Sequence, residues 1–215
     1  MTTLSESQSK ALLAPYGVPF LTERIAADAD GAAVAARELG FPVVVKLCGD
    51  TIAHKTERGL VRLGLRTEGD TIAASRALLD AATEADGPVE LLIAPMVSAT
   101  REFIVGMVVD PQFGPTVLLG VGGVLAEAVA DVVVRLAPIS VVDAEEMIDS
   151  LASQALLGPF RGEPPVDRAA LVGVLMALSA VAVADPSVVS VDLNPIMIAD
   201  GRPIAVDALV EVERP

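Results

Sequence analysis

The chain has 215 residues, 53% of them hydrophobic, so it is long enough and apolar enough to bury a complete core. Its 15 Lys and Arg residues face 29 Asp and Glu residues, and the formal net charge of -14 argues against binding to nucleic acid, which needs a basic surface. A polyanionic ligand such as a nucleotide can bind only where Lys, Arg, backbone N–H groups or a cation reverse the local field.

The apolar and cysteine content indicates the compartment. A single cysteine, Cys48, excludes an internal disulfide. The longest apolar run, residues 171–184, is shorter than the roughly 20 residues that a membrane span needs. The first residues lack the basic and apolar regions of a secretory leader. We therefore expect a cytoplasmic protein that does not cross a membrane.

Apolar periodicity, caps and turn residues predict alternating helices and strands. In the first half we expect helices at residues 6–15, 31–39 and 70–85 and strands at 42–48, 60–65 and 89–96. In the second half we expect helices at residues 144–151 and 167–184 and strands at 102–109, 116–119, 132–136, 188–198 and 203–210. Asp28 is expected to cap the second helix, and Asp200-Gly201 to form the turn of the last hairpin.

Two strands contain a basic residue at a position expected to be buried. Lys46 lies in Val43-Val-Val-Lys-Leu, where a charge is excluded unless it reaches an anion or a carboxylate. A lysine that extends from an edge strand into water is the equally weighted alternative. Arg135 repeats the pattern and can present its guanidinium to a phosphate or pair with Glu127 or Asp131.

The closing hairpin carries oxygen-bearing side chains. Asp192 and Asn194 are two apart on one predicted strand and therefore share a face, and Asp207 lies on the strand paired with it. Magnesium takes such ligands, usually few from protein, with water and phosphates completing its shell. The structural alternative is a turn or bulge at Asn194-Pro195 with two solvated aspartates.

A glycine-rich turn and a glutamate at the start of a strand are two further features that could contact a nucleotide. Gly122 and Gly123 belong to a glycine-rich turn after a strand, where backbone N–H groups can approach a phosphate, although such a turn alone is most often only a tight turn. Glu102 begins a strand, and its carboxylate can accept hydrogen bonds from a ribose or be an exposed edge charge.

His54 is the only histidine and lies in a polar segment beside Lys55. A neutral imidazole can act as a nucleophile toward phosphorus, as a base or as a metal ligand, and a solvated loop residue is the simpler interpretation. No second histidine or thiol cluster supports a zinc site.

Several motifs, in this order, resemble the ATP-grasp domain of ADP-forming acyl-CoA synthetases, including the β subunit of acetate–CoA ligase. The resemblance spans nearly the whole chain, and the motifs that carry it are GFPVVVKL, IAHKTERGLVRLGL, LLIAPMV, REFIVGMVVDPQFGPTVLLGVGGVLAE, VVVRLAPI, LLGPFRGEPP, VDLNPIMI and AVDALV. It implies an α/β ATP-grasp fold in which one domain of residues 1–215 holds ATP or ADP between two α+β lobes. The smaller lobe would comprise residues 21–96, and the larger lobe residues 1–20 plus 97–215.

The resemblance also implies a role for each residue that matches a family motif. Lys46 would contact the nucleotide phosphates, and the backbone around Ala94 and Met96 would receive adenine. Glu102 would lie near the nucleotide, with Gly122, Gly123 and Arg135 on the phosphate side. Asn194 and Asp207 would bind Mg2+, with Asp192 close by.

His54 matches the histidine that accepts a phosphoryl group in this family and passes it to ADP. Here Leu60 stands where the family has a second glycine, and Thr56-Glu57 replaces Ser-Asp. The implied reaction, acid + CoA + ATP to acyl-CoA + ADP + phosphate, needs a separate CoA-binding α subunit, so a hetero-oligomer is expected. The alternatives are a regulatory ATP-binding module without catalysis, or a ligase that uses an acyl-phosphate without phosphohistidine.

Overall fold

A computed structural model of the chain describes residues 1–49, 52, 55, 58–123 and 126–213, with only the backbone of Glu127. The strands are β1 Thr2–Thr3, β2 Arg24–Ala26, β3 Val43–Cys48, β4 Val61–Leu65, β5 Glu90–Pro95, β6 Glu102–Asp110, β7 Gly114–Val121, β8 Val132–Leu136, β9 Val188–Ala199, β10 Arg202–Ala205 and β11 Leu209–Val212. The α-helices are α1 Glu6–Leu13, α2 Ala29–Leu39, α3 Glu68–Asp80, α4 Ala126–Val129, α5 Val141–Asp149 and α6 Arg168–Ala184.

Local signals in the sequence explain where several elements begin and turn. Asp28 caps α2 by accepting the Gly31 N–H at 2.7 Å, as predicted, because its carboxylate satisfies a donor that has no partner within the helix. The predicted turn is also confirmed: Asp200 and Gly201 have φ angles of 49° and 81°, the left-handed geometry that joins β9 to β10 in two residues.

The chain divides into two units. The smaller unit comprises Leu21–Val97 together with Thr3–Ser7. The larger unit comprises Met1–Thr2, Gln8–Phe20 and Ser98–Pro215. The expected lobes have nearly the same bounds, except that Thr3–Ser7 join the smaller unit. The first turn of α1, which carries Glu6, therefore belongs to the smaller unit.

The smaller unit is built on an antiparallel sheet of order β2-β5-β3-β4. Helices α2 and α3 pack on one face of this sheet, where alternate residues of β3 join a core with Ala32, Ala36 and Leu78. The other face of β3 carries Lys46 and Cys48, and it is buried as well. A strand buried on both faces explains the continuous apolar run.

The larger unit is built on a sheet of order β1-β11-β9-β6-β7-β8, with β10 also paired to β9. Helix α6 packs on β6 and β7, and α5 packs on β8, so Phe103, Val117 and Leu119 are buried between sheet and helices. The apolar run at 171–184 lies inside α6, as predicted for a buried helix. None of the helices within the described residues is both long and apolar enough to cross a membrane.

Candidate functional site

Lys46 lies at the centre of the smaller unit. Its side chain is 9% exposed, and its Nζ donates a hydrogen bond to Glu6 Oε1 at 2.7 Å. Strand alternation places Lys46 opposite Leu92 of β5, on the face away from α2 and α3. The buried lysine thus reaches a carboxylate, one of the two partners that its position in an apolar strand requires.

Glu6 binds a second lysine. Its side chain is fully buried, and its Oε2 lies 2.8 Å from Nζ of Lys55, whose side chain is 6% exposed. The Cys48 thiol is 3.9 Å from the same oxygen. The sequence interpretation assigned no role to Glu6 or Lys55. The available signal was the buried strand lysine, because a cation removed from water needs a carboxylate removed from water.

His54 lies outside the described residues, as do Thr56 and Glu57. Their described neighbours are anchored: Ile52 and Leu60 are 3% and 2% exposed and belong to the core of the smaller unit. The Leu60 N–H donates to the Lys55 carbonyl at 2.8 Å. Leu60 therefore directs its side chain into the core of the smaller unit, where it is held by packing.

A second ion pair follows the His54 segment. Arg58 donates from both terminal nitrogens to Asp86, at 2.7 and 2.9 Å. Asp86 also accepts the Thr83 N–H and hydroxyl in a capping box, both at 2.8 Å. These donors, Arg58 foremost, hold the pKa of the Asp86 carboxyl far below its usual range, and the same pairing raises the pKa of Arg58.

The predicted adenine-binding backbone continues β5. Ala94 is 4% exposed and pairs with Val44 in the sheet. The Met96 N–H donates to the Pro42 carbonyl at 2.9 Å. Because this donor is engaged, an adenine contact at Met96 would use the Met96 carbonyl oxygen.

In the larger unit, the structure brings Glu102, Gly122 and Gly123 together. The Gly122 N–H donates to the Glu102 carbonyl at 2.8 Å. A Cβ at Gly122 would lie 3.2 Å from backbone carbons of Glu102 and Phe103, so only glycine fits without displacing β6. Gly123 has a φ of 87°, and a Cβ there would lie 3.8 Å from Glu102 Oε2. The glycine pair thus lies against the carboxylate of Glu102.

The register of the larger sheet separates Arg135 from Asp192. Arg135 pairs with Val117, which pairs with Met107, and both of these residues are buried. Asp192 pairs instead with Gly106, the neighbour of Met107 on β6. Since adjacent residues of a strand face opposite sides, Arg135 and Asp192 lie on opposite faces of the sheet.

The surroundings of Arg135 fit this placement. Its Nη1 donates to the Val134 carbonyl at 3.1 Å. Hydrogen bonds from Ser140 lower the pKa of Asp143 in α5, and the positive charge of Arg135 adds to that effect. Arg135 therefore lies on the α5 side of the sheet, and the register does not bring it to the side of Asp192 and Asn194.

Asp131, one of the two partners considered for Arg135, instead accepts the Ala152 and Ser153 N–H groups at 2.9 and 2.7 Å. The Glu127 side chain, the other alternative, is outside the described part.

Asp192 and Asn194 share an exposed face of β9, with the buried Leu193 between them. The alternative of a bulge is also present, because the register between β6 and β9 shifts where Phe103 pairs with Ile196 and Val105 with Leu193. Asn194-Pro195 is a cis peptide at this shift. The oxygen donors therefore coincide with an irregular stretch of the strand.

Asp207 does not lie on a strand. The predicted strand at 203–210 is wrong as a continuous element, because β10 ends at Ala205 and β11 begins at Leu209. Asp207 interrupts it by accepting the Ala208 N–H on its own side chain at 2.9 Å, a local bond that competes with the ladder. The Val206 N–H donates to the Pro195 carbonyl at 3.3 Å, and Leu209 pairs with Asp192. These two pairings lie on either side of Asn194 along β9 and on either side of Asp207 along the returning chain.

These oxygen donors fit Mg2+. The chain around Asp207 pairs with β9 on either side of Asn194, through Val206 with Pro195 and Leu209 with Asp192, and Asp192 lies on the same face as Asn194. Among the residues that the structure describes, no three His, Cys, Asp or Glu side chains are close enough to hold a metal ion. A site of two or three donors that include an amide suits Mg2+, which keeps several waters and binds substrate phosphates.

Arg101 anchors the loop that carries the LLGPFRGEPP motif. Its side chain is fully buried and donates to the carbonyls of Leu156, Gly158 and Pro164 at 3.2, 3.0 and 2.6 Å. Glu163 lies 3.2 Å from the guanidinium and also accepts the Thr100 hydroxyl at 2.8 Å. The hydrogen bond from Thr100 is the main cause of a lowered Glu163 pKa. The motif is thus held by an internal ion pair of the larger unit.

Comparison with known proteins defines the class of protein. A sequence profile of the ATP-grasp domain matches residues 1–212. Because this match covers nearly the whole chain, the protein belongs to the ATP-grasp family, and the α/β fold expected from the resemblance is confirmed.

Its relatives are more specific. The beta subunit of ADP-forming acetate–CoA ligase I from Pyrococcus furiosus is 35% identical over 208 residues, which cover 95% of this chain and 90% of that subunit. An ADP-forming 4-hydroxybutyrate–CoA ligase from Nitrosopumilus maritimus is 32% identical, but this chain spans only 29% of it. The chain is thus homologous both to separate beta subunits and to one part of longer ligases.

Solved structures support the same homology. Dinucleotide-forming acetyl-coenzyme A synthetase 1 from Ca. Korarchaeum cryptofilum, in complex with coenzyme A and Ca-AMPCP, superposes with a TM-score of 0.91 at 34% identity, covering 99% of this chain and 94% of that one. A second structure of that enzyme, with Mg-AMPPCP, has a TM-score of 0.83, and its phosphohistidine segment points towards the nucleotide-binding site. The resemblance to ADP-forming acyl-CoA synthetases is therefore confirmed.

Proposed function

We propose that this chain is the nucleotide-binding component of an ADP-forming acyl-CoA synthetase and moves a phosphoryl group between ATP or ADP and His54. The observation that carries the proposal is the arrangement around Glu6, which joins Lys46 to Lys55, the residue next to His54. A lysine suited to phosphate and the segment of the only histidine thus meet at one carboxylate. The homologous enzyme with a phosphohistidine segment supports this assignment.

In the forward direction, a neutral ring nitrogen of His54 attacks the γ-phosphorus of ATP. A P–N bond forms as the bond to the β–γ bridging oxygen breaks, and the electron pair of that bond leaves with ADP. The second ring nitrogen releases its proton to water. Lys46 would bind the phosphates of the nucleotide, and the backbone at Ala94 and Met96 would contact adenine.

Asn194 and Asp207, with Asp192 beside them, would hold Mg2+. Bound there, Mg2+ neutralises negative charge on the phosphates of the nucleotide. Glu102, against the Gly122-Gly123 turn, offers a carboxylate that accepts hydrogen bonds from a ribose. This residue set supplies binding and charge neutralisation, and phosphoryl transfer depends mainly on these two effects.

The remaining chemistry requires a partner. We infer a CoA-binding α subunit in a hetero-oligomer, which completes the reaction of acid, CoA and ATP to acyl-CoA, ADP and phosphate. The name of the 35% identical relative, a beta subunit, supports a separate partner. A cytoplasmic location agrees with the use of ATP and CoA.

The proposal is tested by mixing the chain with its cognate CoA-binding subunit, acetyl-CoA, ADP, phosphate and Mg2+, and measuring ATP formation. We expect ATP from the wild type and none from His54→Ala. Full activity in His54→Ala would contradict the relay. Binding of Mg-ADP without ATP formation would favour a regulatory ATP-binding module, the candidate that the replacement of a family glycine by Leu60 raises.

A further inference from the structure

A single buried carboxylate contacts two lysines in the smaller unit. The Glu6 side chain is fully buried, with Oε1 2.7 Å from Lys46 and Oε2 2.8 Å from Lys55. Each lysine thus bonds a different oxygen of one rigid, planar group. Charge-assisted hydrogen bonds of this length are among the stronger side-chain contacts in proteins, and both lysines are more than nine-tenths buried.

The three residues belong to a strand, a helix and the connection between two strands. Lys46 lies in the middle of β3, which pairs with β4 and β5 on its two sides. Glu6 lies in the first turn of α1, where a negative charge is favoured by the helix dipole. Lys55 belongs to the segment between β3 and β4, and its carbonyl accepts the Leu60 N–H at 2.8 Å. Glu6 therefore connects Lys55 to Lys46, which lies on a strand paired on both sides.

We propose that Glu6 is a positioning residue for phosphoryl transfer. It orients the Lys46 ammonium for the nucleotide phosphates, and it fixes Lys55, the residue that follows His54 in the sequence. The inference rests on the proposed function, because it assigns Glu6 a part in the same reaction. Its distinguishing consequence is coupling: removing the Glu6 charge and removing Lys55 disrupt one shared contact, so their effects on the reaction are not additive.

The experiment measures two quantities on the full chain. Rapid quench with radiolabelled Mg-ATP gives the rate of phosphohistidine formation, and calorimetry gives the Kd for Mg-ADP. We expect Glu6→Gln to slow phosphorylation by about tenfold or more and to weaken Mg-ADP binding several-fold, because it loosens both lysines. Lys55→Gln is expected to slow phosphorylation with little change in Kd, and the double variant to be no slower than Glu6→Gln.

Glu163→Gln is the matched control. It removes the same charge from another ion pair with a buried partner, that with Arg101 in the larger unit, so it lowers stability without touching Lys46 or Lys55. We expect a lower Tm and an unchanged phosphorylation rate. Glu6→Asp is the conservative variant if Glu6→Gln does not fold. Its carboxylate is shorter by one methylene, so a positioning role predicts a reduced rate, whereas a need for charge alone predicts the wild-type rate.

Several results would overturn the proposal. A folded Glu6→Gln variant that phosphorylates at the wild-type rate, with only a lower Tm, would reduce Glu6 to a structural residue. A Glu6→Asp variant at the wild-type rate would replace positioning by a need for charge alone. Additive effects of Glu6→Gln and Lys55→Gln would refute the coupling. If the wild type itself forms no phosphohistidine, the proposed function fails, and the role of Glu6 falls with it. If the wild type forms phosphohistidine and Glu6→Gln forms it at the same rate, only the role of Glu6 is refuted and the proposed function stands.

Discussion

Arg58 and Asp86 form a two-bond ion pair, with nitrogen–oxygen distances of 2.7 and 2.9 Å, that joins the end of the His54 segment to the turn before β5. Asp86 is 3% exposed and also accepts two hydrogen bonds from Thr83. The pair fixes the return of the chain into β4. It thereby anchors Arg58, as the contact with Glu6 anchors Lys55.

This pair makes the stability of the protein depend on pH. Because the pKa of Asp86 is lower in the folded chain than in the unfolded one, the unfolded chain binds a proton first as the pH falls. The stabilisation is fully present above the unfolded value of about 3.9 and is lost as the pH falls from there toward the folded value. We expect Asp86→Asn to lower stability at pH 7 and to flatten its loss below pH 4. Urea unfolding at pH 7 and below pH 4 measures the free energy of unfolding of both proteins.

The control for that series is Asp200→Asn. Asp200 is an exposed turn residue with a φ of 49°, a conformation that Asn also adopts readily. Its stability should follow the wild type at each pH. A parallel decline of Asp86→Asn and wild type below pH 4 would show that the ion pair is not the source of the dependence.

Lys46→Met tests the phosphate role of the lysine. Loss of a charge-assisted hydrogen bond to a phosphate is expected to raise the Kd for Mg-ADP about tenfold or more. Calorimetry measures the Kd, and Arg37→Met provides a control with the same charge change at an exposed site paired with Glu68. Equal affinity of Lys46→Met and wild type would contradict the assignment.

Asp207→Asn tests the proposed magnesium site. The amide keeps the shape but loses the negative charge, so the affinity for ADP should fall about tenfold in the presence of Mg2+ and little in EDTA. Asp200→Asn is again the control, since it makes the same change at an exposed turn outside the proposed site. An equal loss with and without Mg2+ would mean that Asp207 acts through the fold.

Gly122→Ala tests the close approach of the glycine turn to β6. The added Cβ would lie 3.2 Å from backbone carbons of Glu102 and Phe103, so we expect a loss of about 1–3 kcal/mol in the free energy of unfolding. Gly173→Ala is the matched control, because a Cβ there meets nothing within 4 Å on an exposed face of α6. It should stabilise by about 0.5–1 kcal/mol. Urea unfolding of both variants separates the two expectations.

Local signals in the sequence were sufficient for much of the fold. Asp28 caps the helix that it precedes, and Asp200-Gly201 forms the predicted turn, because each depends only on neighbouring residues. For Lys46 the sequence left burial and extension into water as equal alternatives, and the structure shows burial. Its partner was not predictable, since Glu6 is 40 residues away in the sequence and no local pattern connects the two.

Two further features depend on the assembled sheet. Arg135 follows the apolar pattern of its strand, but only the pairing with Val117 shows which face of the sheet it occupies. Asp207 fits a strand by its neighbours, yet its side chain bonds the adjacent Ala208 N–H and interrupts the strand. Register and competing local hydrogen bonds decide such positions, and both depend on the assembled sheet.

The most direct test of the account is phosphorylation of this chain by Mg-ATP. We predict an acid-labile, alkali-stable phosphoprotein on the wild type, loss of the label when ADP is added, and no label on His54→Ala. Absence of label on a wild-type chain that binds Mg-ATP, or equal label on His54→Ala, would contradict phosphoryl transfer through His54.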